Sequence, residues 1–282
     1  MHERARWRRR VIGVLAGLTA LYGGAIGAAR LASRALMFQP PPGPVALEGA
    51  TLIETATPDG RAVRAFAVGL DAPNDAPVLL HFHGNASRAD HMLPLAREVA
   101  GLGVGVVLAE YRGYGVSAAE GPSTESGLYD DAEALVVELG RRGVAPTRLV
   151  LWGTSLGSGV ACELAARGRG AGLVLETPYT SMADMATRVL PIAPGRWLVR
   201  DVFDNLTKAP SIRLPALVVH GDADEVVPFA MGEAVARAIP GATWRVVPGG
   251  HHNDLHERDA ALAREIAAHA RRAARPISNP RE

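Results

Sequence analysis

Cysteine is nearly missing from this chain. Cys162 stands alone among 282 residues, which excludes an intramolecular disulfide and a cysteine metal cluster. Lysine is as scarce, Lys208 being the only one among 30 basic residues, an arginine bias of the kind that GC-rich bacterial genes carry. A surplus of positive charge is lacking where a polyanion would need it. Residues 1–34 hold seven Arg and one Glu, net +6, whereas the remaining 248 hold 23 basic and 28 acidic groups, net −5. A body of that sign has no field to hold nucleic acid, and no nucleic-acid partner is expected. Repeats and low-complexity tracts are also missing from Val45 onward. Residues 45–275 therefore read as one domain, long enough to bury a sizeable core, and 276–282 as a tail.

Charge is absent again over residues 11–29, a run that as a helix spans about 28 Å and nearly matches a bilayer's hydrocarbon core. Arg4, Arg6, Arg8, Arg9 and Arg10 precede the run, and Arg30 and Arg34 follow it. The pattern predicts a transmembrane helix over 11–29 behind a basic cytoplasmic tail, 1–10, because positive charge is retained inside. The domain is then expected on the periplasmic or extracytoplasmic side of an inner membrane. A cleaved signal peptide is the competing reading, since Gly27, Ala28 and Ala29 offer small residues at a cleavage position. Residues 30–44 end in Gln39-Pro40-Pro41-Pro42-Gly43-Pro44. They read as a proline-rich linker that can neither continue a helix nor join a sheet interior.

Within the domain, residues 51–57 and 61–68 flank Pro58-Asp59-Gly60 as a hairpin. Beyond it, short apolar runs at 78–82, 104–109, 149–152, 173–175 and 216–219 alternate with helical stretches, notably 123–141 and 226–238. Near-continuous apolar strands separated by helices predict an α/β fold, a mostly parallel sheet covered on both faces. Ligand sites in such sheets lie beyond the carboxyl ends of the strands.

One of those ends is Leu149-Val150-Leu151-Trp152 running into Gly153-Thr154-Ser155-Leu156-Gly157 and a helical stretch. Strand, GxSxG and helix make a sharp turn that presents Ser155 as a nucleophile, with small residues where a Cβ would collide. A serine hydroxyl needs a base. Gly249-Gly250-His251-His252-Asn253-Asp254 supplies two adjacent histidines after the last strand, one of which serves. An acid must fix the imidazole, and His220-Gly221-Asp222-Ala223-Asp224-Glu225 offers three, of which Asp224 is assigned; Asp222 reads as a turn residue and Glu225 as a helix-start acid. Two N–H groups must face the oxyanion: the backbone of Leu156, next to the nucleophile, and that of Asn85 in His83-Gly84-Asn85-Ala86. His83 is read as structural. No metal or organic cofactor is implied.

With these residues assembled, the chain resembles the α/β-hydrolase superfamily and, more narrowly, its membrane-anchored Bem46-like hydrolases. The resemblance rests on His83 to Ala86, Glu110-Tyr111-Arg112-Gly113-Tyr114-Gly115, the block from Pro122 to Ala132, Gly153 to Gly159, Glu176 to Met182, Phe203-Asp204-Asn205 and His220 to Phe229. It implies an α/β-hydrolase fold with an eight-stranded, mostly parallel sheet, flanking helices and a short cap after the sixth strand, about 179–206. It also implies Ser155 as nucleophile, Asp224 as acid and, by the His-Asn-Asp match, His252 as base. Glu110 stands where the family often has Asp. The activity implied is cleavage of an ester or thioester through an acyl-enzyme, since relatives include lysophospholipases and depalmitoylases. A small-molecule or lipid-like acyl substrate is expected, at a membrane held through the N-terminal helix. Met182, Met185, Val189, Leu190, Ile192, Trp197, Leu198 and Val199 make the cap apolar enough to line an acyl pocket. A peptidase on the same fold and a non-catalytic tethered binding module are the alternatives; an acidic cluster for a peptide amino terminus would favour the first and a missing triad member the second.

Overall fold

The computed structural model describes residues 2–70, 75–191 and 193–274; the expected tail 276–282 and Ile192 lie outside them. A helix, α1 (His2–Met37), precedes eight strands: β1 (Thr51–Ala56), β2 (Ala62–Val68), β3 (Val78–Phe82), β4 (Gly105–Glu110), β5 (Leu149–Thr154), β6 (Gly172–Glu176), β7 (Ala216–Gly221) and β8 (Thr243–Val247). Between and after the strands come α2 (Leu93–Ala100), α3 (Glu125–Arg141), α4 (Leu156–Ala166), α5 (Met182–Val189), α6 (Gly195–Leu198), α7 (Asn205–Lys208), α8 (Phe229–Ala238), α9 (Leu255–Arg258) and α10 (Leu262–Ala273).

The strands form one sheet in the order β1-β2-β4-β3-β5-β6-β7-β8. The β1–β2 and β2–β4 pairs are antiparallel and every pair from β4 to β8 is parallel. The expected eight-stranded, mostly parallel sheet is present. Its central strands are apolar on both faces because helices cover both. Successive residues divide between the two: Leu149 and Leu151 of β5 meet the core under α3, α4 and α8, with Leu135, Val160 and Val235, while Val150 and Trp152 meet that under α2 and α10, with Leu93 and Ile266. This arrangement points the carboxyl ends of β3, β5, β6 and β7 to one edge. The loop between β6 and β7 leaves that edge as the cap, carrying α5, α6 and α7.

Expected boundaries move at α8 and α1. The helix predicted over 226–238 starts at Phe229, after Pro228 as its N-cap, because the Val226 and Val227 N–H groups both donate to Asp224 Oδ1 at 2.8 Å. The N-terminal helix does not end at Ala29. It runs unbroken through Met37, about 54 Å at 1.5 Å per residue, so the first eight residues of the expected 30–44 linker are helical. Their partners lie in the cap. Arg30 Nη1 donates to the carbonyls of Arg196 and Val199, and Arg34 pairs with Asp201 at 2.6 Å. The stretch through the prolines has no regular secondary structure, and the buried Arg88 guanidinium holds it, donating to the carbonyls of Pro41, Pro42, Gly43 and Pro44 at 3.0–3.3 Å. α1 carries a stretch long and apolar enough to cross a membrane, none of which is buried against the body.

Candidate active site

Ser155 sits between β5 and α4 at φ 51° and ψ −116°, a backbone conformation that a residue with a Cβ adopts only when its surroundings impose it. They do so by close approach. A Cβ on Gly153 would lie 2.5 Å from the Gly157 carbonyl oxygen, and one on Gly157 would lie 2.0 Å from that of Phe82. The two glycines let helix, β5 and the end of β3 close on one point, while the Ser155 N–H donates to the Glu176 carbonyl at 2.9 Å. The hydroxyl is thereby held above the carboxyl edge of the sheet.

His252 and Asp224 stand in series behind it. His252 Nε2 lies 3.0 Å from Ser155 Oγ and His252 Nδ1 lies 2.8 Å from Asp224 Oδ2. The nitrogen facing the carboxylate carries the proton, which leaves Nε2 as the acceptor toward the serine. The Asp224 side chain is fully buried. Burial alone would raise its pKa, but hydrogen bonds from His220 and His252, the charge of His252 and the Val227 N–H outweigh it and hold the carboxyl well below the ordinary range. It is ionised at any working pH. His251 points the other way. Its side chain is half exposed and meets Glu225 at 3.0 Å, while its N–H donates to Asp254. Asp222 accepts from the Gly249 N–H. The geometry thus brings together Ser155, His252 and Asp224 and leaves His251, Asp222 and Glu225 aside.

Asn85 and Leu156 line the same cavity as Ser155. The Asn85 side chain is turned to structural use, its Oδ1 accepting from Tyr114 Oη at 2.8 Å and from the Gln39 N–H at 3.0 Å. The loop it belongs to is braced by the buried His83 ring, with Nδ1 donating to the Gly84 carbonyl and Nε2 3.3 Å from Glu110, and by Tyr111 donating to the His83 carbonyl. Among the described residues, no group of three or more His, Cys, Asp or Glu is placed to hold a metal ion.

Sequence reasoning missed a cluster beneath the serine. Glu176, the last residue of β6, is buried and accepts from Trp152 Nε1 (2.8 Å), Thr154 Oγ1 (3.0 Å) and His256 Nε2 (2.7 Å), and Thr154 in turn meets His81 Nε2 at 3.1 Å. Burial opposes ionisation of Glu176, yet the charge and hydrogen bond of His256 lower its pKa. The same pairing raises His256 against its own burial. For His81 burial outweighs the charge of Glu176 and pushes it down to about 3. The available signal was an acid closing an otherwise apolar strand, at the edge where sites lie.

Ser155 opens into an apolar cavity of about 370 Å³. The cap supplies one side through Met182, Met185, Val189 and Val199, and the other side is α1, through Ala29, Ser33, Leu36 and Met37. No acidic residue lines it among the described residues.

An eight-stranded, mostly parallel sheet with a serine on a positive-φ turn after β5, and a histidine and a buried aspartate in series with it, defines the α/β-hydrolase class. The comparisons with known proteins agree. The family described as serine aminopeptidase, S33, matches residues 73–208. An uncharacterized protein of Mycobacterium tuberculosis is 35% identical over 228 residues, 78% of this chain and 80% of that one. Protein bem46 of Schizosaccharomyces pombe is 35% identical over 56% of this chain and 54% of its own length, and the lysophosphatidylserine lipase ABHD12 of Danio rerio is 36% identical over 56% and 46%. The chain belongs to the α/β-hydrolase superfamily, among its Bem46-like members. In fold it is similar to the Pyrococcus furiosus esterase Pf2001, with a TM-score of 0.68 over 84% of this chain and all of that one at 17% identity.

Proposed function

We propose that the chain is a membrane-anchored serine hydrolase that cleaves carboxylic esters or thioesters of acyl chains through an acyl-enzyme. The observation that carries the reading is the position of Ser155 Oγ: 3.0 Å from His252 Nε2 and at the inner end of an apolar cavity. Ser155 attacks the acyl carbonyl as His252 Nε2 takes its proton. Asp224 holds the Nδ1–H tautomer and stabilises the imidazolium. The Leu156 and Asn85 amides receive the oxyanion, a contribution on the order of 10²–10³ in rate per donor. His252 then protonates the leaving alcohol or thiolate, and water repeats the sequence to release the acid.

A lipase among the relatives and the apolar walls favour an acyl substrate. The absence of an acid on the described walls disfavours a peptidase that grips an amino terminus. The N-terminal run anchors the chain in the inner membrane, with the domain on the extracytoplasmic side by its flanking arginines. Labelling of the membrane fraction with a fluorophosphonate probe tests the reading: the wild type is labelled, Ser155→Ala is not, and p-nitrophenyl esters are hydrolysed by the first alone. A folded wild type that neither labels nor turns over p-nitrophenyl butyrate overturns it.

A further inference from the structure

The anchor and the cavity are parts of one object. Ala29, the last residue of the uncharged run, lines the cavity, and so do Ser33, Leu36 and Met37, one face of the same helix over its next two turns. Arg30, the first charge after the run, is bonded to the cap through the Arg196 and Val199 carbonyls. The cap rim therefore stands at the level where the helix leaves hydrocarbon. Apolar side chains of the cap are left in the open there. Val189 is 80% exposed, Trp197 50% and Leu190 38%, and a tryptophan next to an arginine at such a level suits the headgroup layer. Between α1 and the cap, an apolar slot reaches Ser155, its lining broken by polar side chains only at Ser33 on α1 and at Asn85, Tyr179 and Ser155 among the described residues.

Building on the hydrolase reading above, we infer that α1 is one wall of the acyl site. The substrate class is a single-chain lipid ester or thioester drawn sideways from the bilayer that holds the anchor, its tail lying along α1 and its carbonyl at Ser155. The chain passes from hydrocarbon to apolar protein without crossing water, so the cost of hydrating each methylene is avoided. The cavity lies at the small end of the range for ligand sites, which fits one tail rather than two.

The test uses the full chain reconstituted in phosphatidylethanolamine and phosphatidylglycerol vesicles. p-Nitrophenyl palmitate is placed either in the protein's own vesicles or in separate ones, with soluble p-nitrophenyl butyrate as the reference for active protein. Palmitate in the same bilayer is hydrolysed at least about tenfold faster than palmitate supplied in separate vesicles, and equal rates overturn the inference. In a second arm, Leu36→Trp and Ser33→Phe lower the palmitate-to-butyrate ratio of kcat/KM by about tenfold or more, the range that shape discrimination in an apolar pocket supplies. Variants that still label with fluorophosphonate but keep the wild-type ratio overturn it as well. A wild type that labels and cleaves butyrate while failing either arm sinks this inference alone, whereas a wild type that does neither sinks the hydrolase reading with it.

Discussion

His251 and His252 adjoin one another at the turn after β8, and their side chains part. The first meets exposed Glu225 and the second closes on Ser155. His252→Ala is expected to lower kcat on p-nitrophenyl butyrate by about 10⁴-fold or more, as loss of a base in such a constellation does. His251→Ala, a surface change, moves it by no more than about twofold. Equal losses in the two variants would overturn the assignment of His252. The residues by themselves name the loop and leave two histidines, the His-Asn-Asp match to the family points to His252, and the orientation itself is decided by what the loop packs on. Ser155 was legible for the opposite reason: Gly153 and Gly157 are demanded by backbone approaches that tolerate no Cβ, so the spacing itself carries the geometry. Asn85 was legible as a position, while the engagement of its side chain by Tyr114 and Gln39 depends on contacts 29 and 46 residues away.

At the scale of elements, β5 and β6 end side by side, and what lies between their ends is the Glu176 cluster. The Glu176–His256 pair couples the floor of the site to pH. His256 has its pKa raised from 6.5, so the stability it contributes is complete below pH 6.5 and is lost as pH rises through its folded value. Glu176 has its pKa lowered from 4.5, so its share is complete above pH 4.5 and is lost as pH falls through its folded value. Urea unfolding of the wild type against the neutral double variant Glu176→Gln/His256→Gln is expected to show the widest margin between pH 4.5 and 6.5, narrowing on both sides. A flat margin across pH would show that the two groups are not an ion pair. The strands were legible as apolar runs because burial on both faces erases alternation. The start of α8 was not, because the residues before Pro228 look helical and are diverted by Asp224, a tertiary demand on two backbone amides.

At the scale of the whole molecule, a helix that reads as an independent anchor is docked on the body. Asp201 is buried; it takes Arg34 from α1 and the Glu125 N–H from α3, so a single carboxylate in the cap joins α1 to α3. Arg34→Ala leaves that carboxylate with one donor, a loss of about 1.5–3 kcal/mol for a charged hydrogen bond. The expected outcome is that amide hydrogen exchange quickens by about tenfold or more over α5 and α6, with β5 unchanged. Unaltered exchange in the cap would show that α1 rests on it without holding it. The uncharged run was legible from composition, but its continuation to Met37 was not, since arginines that end a membrane segment on paper find partners 166 to 169 residues later. The prolines beyond it read as a spacer, and Arg88 fastens them to the body. Its guanidinium reads four consecutive carbonyls, and Gln39, two residues before the first of them, is bonded to Asn85. The segment therefore works as a ruler. One inserted residue would break step with Arg88 or drag the Asn85 loop off register, so its length is fixed by the chemistry at its far end.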